Sequence, residues 1–404
     1  MRCNLAYIRK TKVFEGHRYE GCGKTEEEAY RKLFAKIESA KRGELITSKS
    51  MTVKTWSKVW LETYVEPRIR EPGKKKSRGT MNEASYKSKE ALVYNYIVPT
   101  IGTVKLTDVT PVMLQRVLNA NKEMSYSHVQ KLKLAMEQMF RQAWADKKIL
   151  FDPAANLELP AVEIKKRRSL TDEERYYFFR AANKNRHGLM FRFLLATGIR
   201  PNELAALRVG DISLKDKTVH VHAAVETGTS VIGTPKTDAG SRYTLINDLT
   251  DKTIVSDLKA HIKGKSEADF VFTAKDGKTM MSRAVLARAW DSFARTMDLE
   301  MGAKTNGRGH IYDPSDLDEQ GRPLYPDPKD KTKPKNGHVI APDLVTYCLR
   351  HTFGTDMQRA GVPINQTRYM MGHTNISTTA FFYIDTGKSD VLQVISTLSG
   401  NENT

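Results

Sequence analysis

At 404 residues, of which 40% are apolar and 28% charged, the chain is globular in composition and too long for one hydrophobic core, so two or three domains are expected. Its 65 Lys and Arg against 47 Asp and Glu leave a formal charge of +18, which favours a polyanionic partner but does not separate DNA from RNA or anionic lipid, and could serve solubility alone. Three dispersed cysteines, Cys3, Cys22 and Cys348, argue against a disulfide scaffold; no stretch approaches the roughly 18 apolar residues of a membrane span or resembles a signal peptide, so a cytoplasmic location is expected.

From Asn4 to Glu20, apolar and aromatic residues alternate with basic ones as in two short strands turning at Glu15-Gly16. Thr25 with Glu28 fits a capping box for a helix through Ala40, making residues 1–50 a small strand-strand-helix unit. Its Arg9, Lys10, Lys12 and Arg18 are candidates for contact with a duplex, against the plainer reading of a solvated sheet face. Beyond Met51, Trp56, Trp60 and Leu61 recur at helical spacing, and REPGKKKSRGT from Arg70 to Thr80 reads as an exposed loop. Within it Lys74, Lys75, Lys76 and Arg78 could meet phosphates or simply face water. A helix is expected from Tyr86 to Tyr96, and another capped by Ser127, with Val129, Leu132, Met136, Met139 and Ala143 forming an apolar stripe whose methionines belong to a core. Residues 51–160 thus read as an all-helical domain. The segment DPAANLELPAVEIKKRRSL, from Asp152 to Leu170, reads as a basic linker whose Lys165, Lys166, Arg167 and Arg168 could lie along a phosphate backbone.

Thr171 to Glu174 forms another capping box, opening a helix through Ala182 and a larger domain. Strands are expected around Lys217 to Val225 and Arg242 to Ile246, and a helix from Ser282 that aligns Leu286, Trp290, Phe293 and Met297. Residues 302–337, rich in Gly, Pro, Asp and Lys, read as a long surface excursion with room for one hairpin. Near the end, Val391, Leu392, Val394, Ile395 and Leu398 form an apolar patch that either closes its own domain or docks onto a neighbouring copy. The expected fold is multidomain: a small α+β unit, an all-α domain, and a mixed, mainly α domain with a small antiparallel sheet.

Four separated basic or aromatic elements suit phosphoryl transfer: Arg200 in ATGIRPNELAALR, Lys236 in GTPKTDAGSR, Arg350 in YCLRHTFGT, and Tyr383 in MGHTNISTTAFFYID. Two guanidiniums can hold the nonbridging oxygens of a phosphodiester as charge builds on them. A phenol, with an ordinary pKa of roughly 10, needs local positive charge or a base to attack, and a flexible ammonium can protonate a departing alkoxide. On these ordered motifs the chain resembles the tyrosine recombinases, particularly the integrases of phages and conjugative elements.

The resemblance implies that Tyr383 joins to DNA and releases a 5′-hydroxyl, that Arg200 and Arg350 clamp the phosphate, that Lys236 is the general acid, and that His373 donates a hydrogen bond to the phosphate. The phosphotyrosyl bond stores the cleavage energy, so no cofactor and no metal is expected. It further implies an arm-type DNA-binding domain at 1–50, a core-type DNA-binding domain at 51–160, a catalytic domain at 161–386, and a tail at 387–404. Partners would be double-stranded DNA at specific attachment sites, a homo-tetramer pairing two sites through a Holliday junction, and an accessory excision or DNA-bending protein.

Two positions depart from the family pattern. Tyr347 stands where relatives generally carry His or Lys, and phenol is a poor proton acceptor near neutrality; Asp385 stands where many carry His. His351 is the usual companion in an RHT sequence, with a structural role or a turn toward the site both open, and Glu203 reads as a structural hydrogen-bond partner of the first motif. Tyr369 precedes the Gly-His pair and Phe381 and Phe382 lack a hydroxyl; the ten-residue step from His373 to Tyr383 matches a common integrase variant, so Tyr383 leads as nucleophile, although some relatives place the tyrosine one residue earlier. The segment GTPKT lacks the GxxxxGK[ST] pattern of a phosphate-binding loop, and no His, Cys and carboxylate residues show convincing metal-site spacing along the chain. A type IB topoisomerase and a non-catalytic DNA-binding protein are the competing functions.

Overall fold

The computed structural model describes residues 8–14, 17–41, 51–74, 77–162, 168–233, 241–306, 309–315, 317, 320–321 and 339–373. The chain divides into two compact units, Met1–Arg70 with Gly79–Lys165, and Glu71–Arg78 with Lys166–Thr404.

The first unit opens with antiparallel strands β1 (Ile8–Phe14) and β2 (His17–Gly23), followed by α1 (Glu26–Lys41). Ala29, Leu33 and Ile37 bury one stripe of α1 against the strands. Glycine is required beneath it, because a Cβ at Gly21 would lie 2.1 Å from the Ala29 carbonyl oxygen. Thr25 Oγ1 accepts from Glu28 N at 3.2 Å, while the Glu28 carboxylate accepts from Lys24 N at 2.9 Å rather than from Thr25. Lys10 faces Gly21 across the ladder, so the two-residue period puts Lys10 and Lys12 on the α1 side. There Lys10 pairs with Glu26 and lies 5.0 Å from the Tyr30 ring centre, and Lys12 lies 5.5 Å from that of Phe34. Arg9 and Arg18, the latter paired with Val13, occupy the opposite face.

Among the described residues the rest of this unit is helical, with α-helices α2 (Val53–Trp60), α3 (Glu83–Leu92), α4 (Val98–Ile101), α5 (Pro111–Asn119) and α6 (Tyr126–Ala145) and wider π-helical turns at Leu61–Val65 and Val93–Ile97. Side-chain oxygens of Thr52, Asn82 and Thr110 cap α2, α3 and α5. The expected start of α6 is corrected: Ser125 occupies the N-cap position and Ser127 lies inside the helix. Trp56, Leu114, Val129, Leu132, Met136, Met139 and Phe140 form the core, with the methionines in it as expected. Trp56 Nε1 satisfies its proton on the Met139 carbonyl at 3.1 Å. The linker reading of Asp152 onward is also corrected in its first part: Ala154 and Leu157 are buried in this core, and Leu159 and Val162 pack against it. At the base of the 70–80 loop, Arg70 N bonds the Met81 carbonyl and Met81 N the Arg68 carbonyl, both at 2.9 Å, and Lys74 and Arg78 are exposed.

The second unit contains α7 (Asp172–Lys184), α8 (Gly188–Thr197), α9 (Pro201–Ala206), β3 (Ile212–Ser213), β4 (Thr218–Val221), β5 (Ala224–Val225), β6 (Ile232–Gly233), β7 (Arg242–Leu245), α10 (Ile254–Ile262), α11 (Arg283–Glu300), β8 (Lys304–Thr305), β9 (Ile311–Tyr312), α12 (Thr346–Arg359) and α13 (Ile364–Met371). The order β3-β4-β7 makes an antiparallel three-stranded sheet; β5-β6 and β8-β9 are two-stranded ribbons, the latter being the hairpin within 302–337. The Thr171–Glu174 capping box and the Ser282 cap of α11 form as the sequence predicts. Phe178, Phe191, Phe193, Phe293 and Leu349 centre the core, and α8, apolar nearly all round, is buried through it. This is the multidomain, mainly helical architecture with small antiparallel sheets that the sequence implies. Among the described residues no helix is long and apolar enough to cross a membrane.

Candidate active site

The site is built where the ends of α8 and α13 meet the starts of α9 and β7 and the second turn of α12. At its centre is a carboxylate. Glu203, 5% exposed, sits in the first turn of α9, where Pro201 sets the helical backbone and Arg200 occupies the N-cap position. The Glu203 carboxylate accepts from Arg200 N at 2.8 Å and Arg200 Nη1 at 2.7 Å, so it aims the arginine through both backbone and side chain. A second arginine, Arg242 at the start of β7, reaches the same carboxylate from the other side, with Nη2 2.8 Å from Oε2 and Nη1 3.1 Å from Oε1. Burial alone would push the Glu203 pKa up; the Arg242 hydrogen bonds and the charges of Arg242, Arg200 and Arg350 outweigh it and hold the group at about 2.

Arg350 lies on the buried side of α12. Its Nη1 donates to the Gly198 carbonyl at 2.5 Å, and its Nη2 donates to the Met371 carbonyl. Gly198 ends α8 in the left-handed conformation, φ +62°, where a Cβ would meet the Phe353 ring at 2.3 Å. Gly372 ends α13 in the same way, at φ +63°, with the Arg242 guanidinium 2.9 Å from the place of a Cβ. Arg200 Nη2 donates to the Gly372 carbonyl at 3.1 Å and Arg242 Nε to that of Met370 at 2.7 Å. Three arginines from distant parts of the chain therefore grip the three consecutive carbonyls 370 to 372, and the residue that follows is His373.

His373 Nε2 lies 3.0 Å from Arg350 Nη2. A guanidinium can only donate, so Nε2 accepts and the imidazole is neutral, with its proton on Nδ1. Burial, followed by the charges of Arg350 and Arg200, holds its pKa at about 3. The arrangement concentrates the positive charge of Arg200 and Arg350 beside a neutral ring with one N–H, which together can bind and polarise a phosphodiester.

Arg200, Arg350 and His373 are thus brought together. Lys236 and Tyr383 lie outside the described residues, as do Lys75, Lys76, Lys165, Lys166, Arg167 and the patch around Val391. Tyr347 is 40% exposed, one helical turn before Arg350, and His351 is buried beside it. Arg168 is engaged within the protein: its guanidinium meets Glu174 at 2.6 Å and Asp343 at 2.7 Å. Sequence reasoning missed Arg242. Its signal was the inward phase of β7, in which Arg242 and Thr244 are buried and Tyr243 is exposed, a pattern that makes a strand's first arginine a core residue.

This mainly helical unit, whose distant arginines converge beside a histidine, belongs to a known class of proteins. Residues 168–310 and 331–389 match the phage integrase family and residues 69–159 the phage integrase central domain; the chain belongs to this family of tyrosine recombinases and integrases. It is 23% identical over 203 residues to tyrosine recombinase XerC of Bacillus pumilus, a match covering 49% of this chain and 48% of the relative, so the chain spans about half the length of that protein. In fold it is similar to the Tn1549 transposon integrase in complex with a circular intermediate DNA (TM-score 0.61, 18% identity, 86% of this chain and 100% of that one). It is similar also to a lambda integrase tetramer bound to a Holliday junction (TM-score 0.54, 16% identity, 96% and 95% of the two chains).

Proposed function

We propose that the chain is a site-specific recombinase that cuts and rejoins DNA through a 3′-phosphotyrosyl bond on Tyr383, integrating or excising a mobile element by way of a Holliday junction. The observation that carries this reading is the convergence of Arg200 and Arg350 beside neutral His373 at the end of α13, ten residues before Tyr383 in the chain.

In this mechanism a scissile phosphate takes donors from Arg200, Arg350 and the Nδ1–H of His373, which stabilise the charge gathering on its nonbridging oxygens. The Tyr383 oxygen attacks in line, its phenolic proton passing to water, and the bond to the 5′-oxygen breaks as that oxygen takes a proton from Lys236; in ligation another strand's 5′-hydroxyl returns its proton to Lys236 as it attacks, and the Tyr383 phenol leaves reprotonated from water. Loss of one aligned donor costs ~3 kcal/mol of barrier. Residues 1–50 serve as the arm-type DNA-binding domain, 51–160 as the core-type domain and 161–386 as the catalytic domain, with four protomers holding two attachment sites. The tetramer and the junction follow the lambda relative, and the mobile-element role follows the Tn1549 relative.

The test is capture of protein on a nicked, halting DNA substrate in a denaturing gel. Wild type is expected to yield a covalent adduct and Tyr383→Phe none; undiminished adduct in the variant would remove Tyr383 from the mechanism. Products with exchanged flanks separate a recombinase from a topoisomerase, which would leave relaxed circles alone.

A further inference from the structure

We infer that Asp211, His220 and His222 form a binding site for a divalent transition-metal ion of the zinc class, separate from the arginine cluster. The site arises from strand pairing. Ile212 of β3 faces Val219 of β4, so Asp211, one residue earlier, comes level with His220 on the other face of the sheet. His222 follows His220 by two residues, and alternate residues of an extended chain share a face. One ligand atom from each of the three lies within 4.8 Å of the others, and His222 Nε2 already approaches Asp211 Oδ1 to 2.8 Å.

The surroundings favour ligation. A four-coordinate ion with bonds of about 2.0 Å spaces its ligands about 3.3 Å apart, so accepting one asks the Asp211–His222 pair to part by only ~0.5 Å while the His220 ring turns inward. The second oxygen of Asp211 accepts from Arg208 N at 2.8 Å, which fixes the carboxylate as a supporting hydrogen bond does around bound metals. His220 stacks on Tyr243 with ring centres 4.5 Å apart and planes 14° apart, which keeps the ring on the sheet face that Asp211 and His222 share, within a short turn of them. The Asp211 side chain is 14% exposed and that of His222 44%, so the cluster is anchored on one side and open on the other, where water can complete the coordination. Two imidazoles and one carboxylate suit zinc, cobalt, nickel or copper rather than the all-oxygen preference of calcium and magnesium. Bound there, the ion would brace β3 to β4 just before the chain enters β5.

Full-length protein stripped with a chelator and titrated with Zn²⁺ by calorimetry tests the site, with Co²⁺ absorption as a report on coordination. Wild type is expected to bind one equivalent and to show the intense visible bands of four-coordinate cobalt. The His220→Ala, His222→Ala double variant, altered only at partly exposed positions, is expected to lose at least about tenfold in affinity, together with those bands. Its unfolding midpoint without metal should match wild type, and Zn²⁺ should raise the midpoint of wild type only. Equal affinity in the double variant, or no Zn²⁺-dependent shift in wild type, would overturn the assignment and leave Asp211 and His222 as an ordinary surface pair.

Discussion

Replacing Arg242 with Met removes both guanidinium contacts to Glu203 and the contact to the Met370 carbonyl, while an unbranched chain still fills much of the space. Removing one partner of a buried ion pair costs ~3–5 kcal/mol, and because Glu203 retains Arg200 the lower figure applies. The carboxyl reflects the same contacts: the Arg242 hydrogen bonds and the charges of Arg242, Arg200 and Arg350 hold it at about 2 against an ordinary 4.5, so its ionised form contributes on the order of 3 kcal/mol at neutral pH, shared among the three arginines. The sign is that of a depressed acid, with stability present in full above pH 4.5 and lost as pH falls toward about 2. For a unit of this size, ~3 kcal/mol corresponds to a fall in Tm of ~6–12 °C, readable by calorimetry. The acid limb of the stability curve should flatten in the variant, and adding Glu203→Gln should recover at least ~1 kcal/mol by neutralising the stranded charge. A midpoint within about 1 °C of wild type, or a double variant no better than the single one, would refute the buried-pair reasoning.

Gly198→Ala forces a Cβ into the Phe353 ring at a positive φ, so a loss of ~2–4 kcal/mol and a fall in adduct yield are expected, checked by thermal unfolding and the denaturing gel. Ring-nitrogen NMR of His373 should show a neutral Nδ1–H form from about pH 8 down to about pH 5; a midpoint at the ordinary histidine value would contradict the burial and arginine contacts that lower it. The same depression means that whatever stability the group contributes is complete above pH 6.5 and fades as pH falls toward about 3. In the amino-terminal unit, Arg9→Ala with Arg18→Ala should weaken binding to DNA and reduce the log–log salt slope by about 2, since Arg9 makes only a long, exposed contact of 3.8 Å with Glu20, whereas loss of Lys10, held close to Glu26 on the α1 side, should change it little. Equal effects from both changes would undo the assignment of faces.

Local signals were readable where the determinants lie within a few residues. The Thr171–Glu174 box, the Ser282 cap and the stripe through Val129, Leu132 and Met136 all depend on spacing of three or four, and the structure follows them. The sequence pointed to Ser127 as the cap of α6, but the helix begins at Tyr126 with Ser125 in the N-cap position, following the turn in which Met124 N bonds the Asn121 carbonyl, and the Ser125 side chain makes no capping bond. Prolines and charge made 152–162 resemble a linker, yet Ala154 and Leu157 are buried, since irregular backbone can cover a core as well as leave it. Arg200 and Arg350 were identifiable from their motifs, but Arg242 was not. Its role depends on a carboxylate 39 residues away and a helix end 128 away, and no period in the chain encodes such contacts. Asp211 joins His220 and His222 through strand register for the same reason.

Gly372 and Arg242 occupy one volume. With the guanidinium 2.9 Å from the missing Cβ, enlarging residue 372 demands a smaller or displaced residue 242, and shrinking 242 strands the acid at 203. Positions 203, 242 and 372 are therefore coupled: a side chain at 372 meets both the left-handed backbone and the Arg242 guanidinium, so a shorter residue at 242 should recover only part of its cost.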